Sequence, residues 1–179
     1  MSNNLLKGKR GIIFGALNDM SIAWKVAERA QEEGATFTLT NAPIAMRMGA
    51  INDLAEKTNS KVIPADATSV EDLKHLFEKS QEILGGKVDF VLHSIGMSPN
   101  VRKKKQYTGL NYEWYKQTLD VSAMSLHKTL QVAYDMDALN NWGSVLALTY
   151  IAAQRIFPDY NDKADAKSLL ESITEQLKK

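Results

Sequence analysis

The chain has 179 residues, 44% of them hydrophobic and 24% charged, a balance that supports a buried core and excludes a disordered segment. Lys and Arg number 22 against 21 Asp and Glu, so the net charge of +1 offers no overall field, and neither nucleic acid nor a membrane is expected as a partner. The lack of cysteine removes disulfides, thiolate metal sites and a cysteine nucleophile together. With a polar, basic start over residues 1–10 and no apolar run of membrane-spanning length, the expected location is cytoplasmic.

The first predicted element is a buried strand, the short run Gly11-Ile12-Ile13-Phe14-Gly15. A helix follows over residues 21–33, where Ile22, Ala23, Val26, Ala27 and Ala30 recur at helical spacing between Ser21 as N-cap and Gly34 as stop. Residues 36–40 form a second strand, Asn41-Ala42-Pro43 a turn, and Ile44, Met48, Ile51 and Leu54 mark another helix. Val62-Ile63 is the third strand. Ser69 with Asp72 three residues on resembles a capping box, opening a helix that carries Leu73, Leu76, Phe77 and Leu84 and stops at Gly85-Gly86. The fourth strand covers 88–93, Ser94-Ile95-Gly96 turns at its carboxyl end, and residues 99–111 read as a basic polar loop. A long helix then runs to about residue 140, a fifth strand covers 144–149, and a last helix extends from about Tyr160 to Lys178-Lys179, whose charges suit a helix C-terminus.

Strands alternating with helices imply right-handed crossovers and a sheet covered on both faces. The expected fold is α/β: a doubly wound, Rossmann-like parallel sheet of about five strands in order 3-2-1-4-5, forming one dinucleotide-binding domain over residues 1–179. Ligands of such sheets lie outside the carboxyl ends of the strands.

Three turns on that edge carry suitable groups. Gly15 leaves the first strand where backbone must come close to a pyrophosphate, and the helix start at Ser21 offers free N–H groups and a positive dipole. Leu17 stands where a dinucleotide fingerprint has its second glycine, so this turn alone also fits an ordinary glycine turn with a Ser cap. Asp66 with Ala67 follows the third strand, and Ser94-Ile95-Gly96 the fourth; Asp66 fits either a turn cap or a contact to an adenine amino group. The sharpest signal is Tyr160 with Lys167. Seven residues of helix turn through about 700°, so both side chains would project from one face about 10 Å apart. A phenol can donate to a developing oxyanion, and an ammonium beside it strengthens that donation and can hold a ribose hydroxyl. Tyr150 stands ten residues before Tyr160, just past the fifth strand.

At these residues the sequence resembles the enoyl-acyl-carrier-protein reductases, a divergent branch of the short-chain dehydrogenases. Gly15-x5-Ser21-x-Ala23, His93-Ser94-Ile95-Gly96, Thr149-Tyr150 and Tyr160-x6-Lys167 occur in that family's order and spacing, over essentially the whole chain. The resemblance implies that Gly15, Ala16, Ser21 and Ile22 hold the pyrophosphate side of NADH, that Asp66 and Ala67 flank the adenine, and that Ser94, Ile95 and Gly96 approach the nicotinamide half. It implies that Lys167 holds the nicotinamide ribose, that Tyr160 bonds the thioester carbonyl or the enolate formed from it, and that Tyr150 shapes the acyl site and assists protonation, making Tyr150, Tyr160 and Lys167 the expected catalytic residues. The activity implied is reduction of 2-enoyl thioesters on acyl-carrier protein in fatty acid synthesis, with a homo-oligomer as the family's usual form. The alternative is a Rossmann core that binds NAD(H) without turnover.

The resemblance also implies two further strands and a substrate-binding helix beyond Lys179, which would leave the fifth strand as an edge with Val145, Ala147 and Thr149, or Leu146 and Leu148, facing solvent. Thr40-Asn41-Ala42-Pro43 lacks the acidic residue that grips a ribose diol, and Arg47 is near enough in sequence to meet a 2′-phosphate, so NADPH stays open beside NADH. His75, His93 and His127 are scattered and make no metal site. Lys103-Lys104-Lys105 reads as a solvated loop that could also touch an acidic carrier protein. Met46, Met48 and Met97 read as core or pocket lining.

Overall fold

The computed structural model describes residues 3–47 and 50–177; the readings placed on Met48 and on Lys178-Lys179 lie outside them. The chain falls into two compact units, one made of residues up to Ser94 with Gln131–Leu146, the other of Ile95–Leu130 with residues from Ala147 onward.

The first unit is organised on β1 (Arg10–Phe14), whose Ile12, Ile13 and Phe14 are buried on both faces as a central parallel strand requires. It pairs in parallel with β2 (Thr36–Thr40) on one side and β4 (Val88–His93) on the other, with Ile13 opposite both Leu39 and Leu92. The short β3 (Lys61–Val62) extends β2, and β5 (Leu139–Ala147) closes the other edge, giving the order β3-β2-β1-β4-β5 expected from the sequence. Gly11 lets strands approach at the centre, since a Cβ there would meet the Phe90 ring at 2.2 Å. Helix α1 (Ile22–Glu32) buries Ala23, Ala27 and Ala30, small residues that let it lie close on its neighbours. The helix expected after β2 is two pieces, α2 (Pro43–Met46) and α3 (Ile51–Thr58). Helix α4 (Val70–Leu84) begins as the sequence indicates: Ser69 Oγ accepts from the Asp72 N–H at 3.1 Å, and Gly85 ends it at φ 74°.

In the second unit, the expected basic loop contains α5 (Pro99–Arg102), capped by Ser98, and a single 3₁₀ turn at Tyr107–Gly109. The long helix is α6 (Tyr112–Leu119) and α7 (Ser125–Asp135) joined by a π segment, Asp120–Met124; the last residues of α7 belong to the first unit. It stops at Asp135 rather than near residue 140, because Asp137 takes φ 48° and the Ala138 carbonyl accepts from the Val88 N–H at 2.9 Å, drawing the chain into β5. β5 therefore starts five residues earlier than expected and ends at Ala147, short of Thr149. Its Trp142 and Leu146 face solvent.

Helix α8 spans Asp162–Gln176 and leaves Tyr160 outside it. Asp159 at φ 61° and Asn161 at φ 45°, ψ −134° flank Tyr160 with backbone no helix can contain. Tyr160 and Lys167 therefore do not share a helical face as the sequence spacing predicts, and only Lys167 is helical. No helix of the described residues is long and apolar enough to cross a membrane.

Candidate functional site

Parallel pairing sets the carboxyl ends of β1, β3 and β4 on one edge of the first unit's sheet. Gly15 follows β1 at φ 87°, where a Cβ would stand 1.9 Å from the Ser94 carbonyl oxygen, so only glycine fits. The turn beyond it is held from both sides. Ser21 Oγ accepts from the Leu17 and Asn18 N–H groups at 3.1 and 3.0 Å, and the Ala16 carbonyl accepts from Asn41 Nδ2 at 3.2 Å. Ser21 occupies the N-cap of α1, as read from the sequence, but its hydroxyl faces back into the turn and makes no cap bond. The Trp24 N–H is taken by the Ser21 carbonyl at 3.1 Å, so at the start of α1 the N–H groups of the exposed Ile22 and of Ala23 are the ones that can meet a ligand, and α1 adds its dipole. This arrangement fits an anionic diphosphate without any charged side chain.

Asp66 serves the turn: Oδ1 accepts from the Thr68 N–H and hydroxyl at 2.9 and 2.8 Å. Ala67 beside it is buried. At the end of β2, Asn41 is spent on Ala16 and on the Ala42 N–H, and Arg47 is exposed at the end of α2. His93 packs its ring 6.1 Å from that of Phe14 inside the core. Among the described residues no group of three or more His, Cys, Asp or Glu side chains is arranged to hold a metal.

In the second unit Lys167, on α8, is almost fully buried, and its Nζ donates to the Ile95 carbonyl at 3.1 Å and the Leu148 carbonyl at 2.6 Å. An ammonium has three N–H groups, so one is left over. Burial, and then the Lys163 ammonium, push Lys167 down to about 8. Gly96 is exposed beside it: a Cβ there would lie 3.7 Å from Lys167 Nζ.

Tyr150, Phe157 and Tyr160 form an aromatic cluster, with the two tyrosine rings 4.7 Å apart and Phe157 edge-on to both. Burial, and then Tyr150, raise Tyr160 above the ordinary phenol value, so it stays protonated as a hydrogen-bond donor at neutral pH. Lys163 Nζ lies 5.2 Å from the centre of the Tyr160 ring.

Sequence reasoning missed the groups that fix this region. Asp162, fully buried as the first residue of α8, accepts from Ser98 Oγ at 2.7 Å, Asn100 Nδ2 at 2.9 Å and Thr118 Oγ1 at 2.9 Å, tying α5 and α6 to the residue two places after Tyr160. Ser122, buried in the π segment, donates to the Met97 carbonyl at 3.0 Å and accepts from its N–H at 2.9 Å, anchoring the chain just past Gly96. The four-residue spacing of Lys163 from Lys167 stands in the sequence, but the partial burial of Lys163 beside it does not. The polar hub is not legible either, because its bonded pairs lie 44 to 64 positions apart and no local pattern links them.

Five parallel strands in this order, with a glycine turn opening onto a helix at the central strand, define a Rossmann-like protein of the doubly wound α/β class. The family described as Enoyl-(Acyl carrier protein) reductase matches residues 15–178. The NADH enoyl-acyl-carrier-protein reductase FabI of Rickettsia conorii is 32% identical over 99% of this chain and 67% of its own length. A crystal structure of the FabI–NADH complex from Alistipes finegoldii superimposes with a TM-score of 0.95 at 64% identity, covering 97% of this chain and 61% of that one. The enoyl-acyl-carrier-protein reductase (NADH) of Aquifex aeolicus gives 0.86 at 30% identity, covering 96% of this chain and 68% of that one. The chain belongs to the enoyl-acyl-carrier-protein reductase family, and it spans about two thirds of the length of the curated relatives it matches.

Proposed function

We propose that this protein reduces 2-enoyl thioesters carried on acyl-carrier protein, using NADH, in the fatty acid synthesis of the cytoplasm. The observation that carries this reading is the buried Lys167 ammonium, fixed by two carbonyls with one N–H left over, in a unit that also holds the paired phenols of Tyr150 and Tyr160. Family membership and the relatives' NADH-named activity support it.

NADH, when bound, supplies a hydride for the β-carbon of the enoyl thioester. Gly15 and Ala16 admit a diphosphate close to the backbone, and the α1 start at Ser21 and Ile22 gives it N–H groups and a positive dipole. Asp66 and Ala67 border the adenine; Ser94, Ile95 and Gly96 border the nicotinamide half. Lys167 donates its remaining N–H to the nicotinamide ribose. Tyr160 donates to the thioester carbonyl oxygen, a bond that strengthens as that oxygen takes enolate charge, and such selective stabilisation is what lowers a barrier. Tyr150 packs on Tyr160, limits its ring positions and shapes the acyl site. NADH is preferred over NADPH, as the relatives' NADH-named activity supports.

Family membership supports a homo-oligomer as the working form, testable by its mass in solution. The activity is tested by following NADH absorbance with a 2-enoyl thioester. Consumption that depends on both substrates is expected; NADH binding without consumption would leave a binding-only core in its place.

A further inference from the structure

Lys163 has no task in the reductase reading. It precedes Lys167 by four residues on α8, the spacing at which side chains meet on one helix face. Both reach the same spot: a Cβ on Gly96 would lie 3.5 Å from Lys163 Cε, 3.7 Å from Lys167 Nζ and 3.8 Å from Lys167 Cε, which keeps Lys163 Cε within about 7 Å of Lys167 Nζ. Two ammonium groups so placed repel, and neither has water enough to screen the other, since Lys167 is almost fully buried and Lys163 half-buried.

The neighbouring acids do not neutralise the pair. Asp162 is held by Ser98, Asn100 and Thr118; Asp165 accepts from the Tyr107 and Tyr115 phenols; Glu171 accepts from Thr149 and Gln154; Asp120 of the π segment pairs with Lys128. The remaining charged or titratable groups facing the pair are Arg102 at the end of α5, which adds to the repulsion, and the phenols of Tyr160 and Tyr150.

We propose that Lys163 is a positioning residue that acts through Lys167: its charge sets the pH at which Lys167 changes from a hydrogen-bond donor to a hydrogen-bond acceptor toward a ligand. The change follows from counting hydrogens. The ammonium of Lys167 gives two N–H groups to the Ile95 and Leu148 carbonyls and keeps a third for the ligand. The neutral amine has two N–H groups, both spent on those carbonyls, and turns its lone pair outward. A ribose hydroxyl meets a donor in the first state and an acceptor in the second. The identity of that ligand rests on the reductase reading, whereas the coupling of the two lysines does not.

The test combines a lysine NMR titration of the whole chain with pH profiles of NADH oxidation, in the parent protein, Lys163→Met and Lys163→Arg. Met keeps the length of the side chain and removes its charge; Arg keeps the charge. The Lys167 midpoint is expected to rise in Lys163→Met and to stay at the parent value in Lys163→Arg. The alkaline limb of kcat/KM should move to higher pH in step, so that at pH 9 Lys163→Met keeps a several-fold larger share of its neutral-pH rate than the parent. An unmoved midpoint in Lys163→Met, or an equal rise in Lys163→Arg, overturns the proposal. A parent chain that never oxidises NADH while the midpoint still moves with charge refutes the reductase reading and leaves the lysine coupling standing.

Discussion

The Gly15–Ser21 turn of the first unit and the Tyr160–Lys167 segment of the second solve opposite problems with opposite materials. The turn offers backbone: N–H groups, a helix dipole and a glycine whose missing Cβ is the important feature. No charge is buried there. The segment offers side chains, and it holds an ammonium away from water, two phenols in contact and a fully buried carboxylate. The turn tolerates change in most of its side chains and none in its backbone path. The segment depends on individual groups and on the hydrogen bonds that keep them satisfied.

The widest break in this comparison is chemical. Tyr160→Phe should lower kcat/KM by about 10²–10⁴-fold, the range expected when a positioned donor to the reacting oxygen is lost, while thermal stability holds; Lys167→Ala should lower it too and also change stability, because it leaves the Ile95 and Leu148 carbonyls without their donor. Rates and melting curves on the same preparations check both halves. Asp162→Ala should destabilise the second unit by about 4 kcal/mol, since it strands three buried donors at once; denaturant midpoints measure this. A loss below 1 kcal/mol would mean that the hub does not hold the start of α8.

The third prediction concerns pH. Lys167 titrates near 8 in the folded protein against an ordinary 10.5, so over that interval the unfolded chain binds more protons than the folded one. Folding stability from this group therefore rises with pH between the two values, by roughly 3 kcal/mol in all. Ligand affinity that needs the ammonium falls over the same interval. Melting temperature and NADH affinity measured together from pH 7 to 10.5 should move in opposite directions. The smallest effect is expected in the turn: Gly15→Ala should cost about 2 kcal/mol, from the positive φ and the approach to Ser94, and should weaken NADH binding. Ala at that position with unchanged affinity would show that the backbone path is not what binds.

The turn was the more legible of the two in the amino-acid sequence. Gly15, Ser21 and the alanines of α1 are read from local rules of backbone geometry and periodicity, and the strand order follows from alternation of apolar runs with helices. Helix limits failed where tertiary bonds overrode propensity. Nothing in Asn-Asp-Lys-Ala after Tyr160 announces that Asn161 will take a positive φ, because that conformation follows from where Asp162 finds its donors. The early start of β5 has the same origin, a carbonyl at Ala138 claimed by Val88. Lys163 escaped notice because a lysine on a charged helix is ordinarily solvated, and only the fold shows it withdrawn beside Lys167.

The π segment at Asp120–Met124 adds a constraint on how this chain can diverge. Each residue added to or taken from a helix rotates everything beyond it by about 100°. The wide turn absorbs one such residue, and it does so where Ser122 grips both backbone groups of Met97. A single deletion there would restore a regular helix and swing the hydroxyl off its partner, so along this stretch the number of residues matters independently of which residues they are.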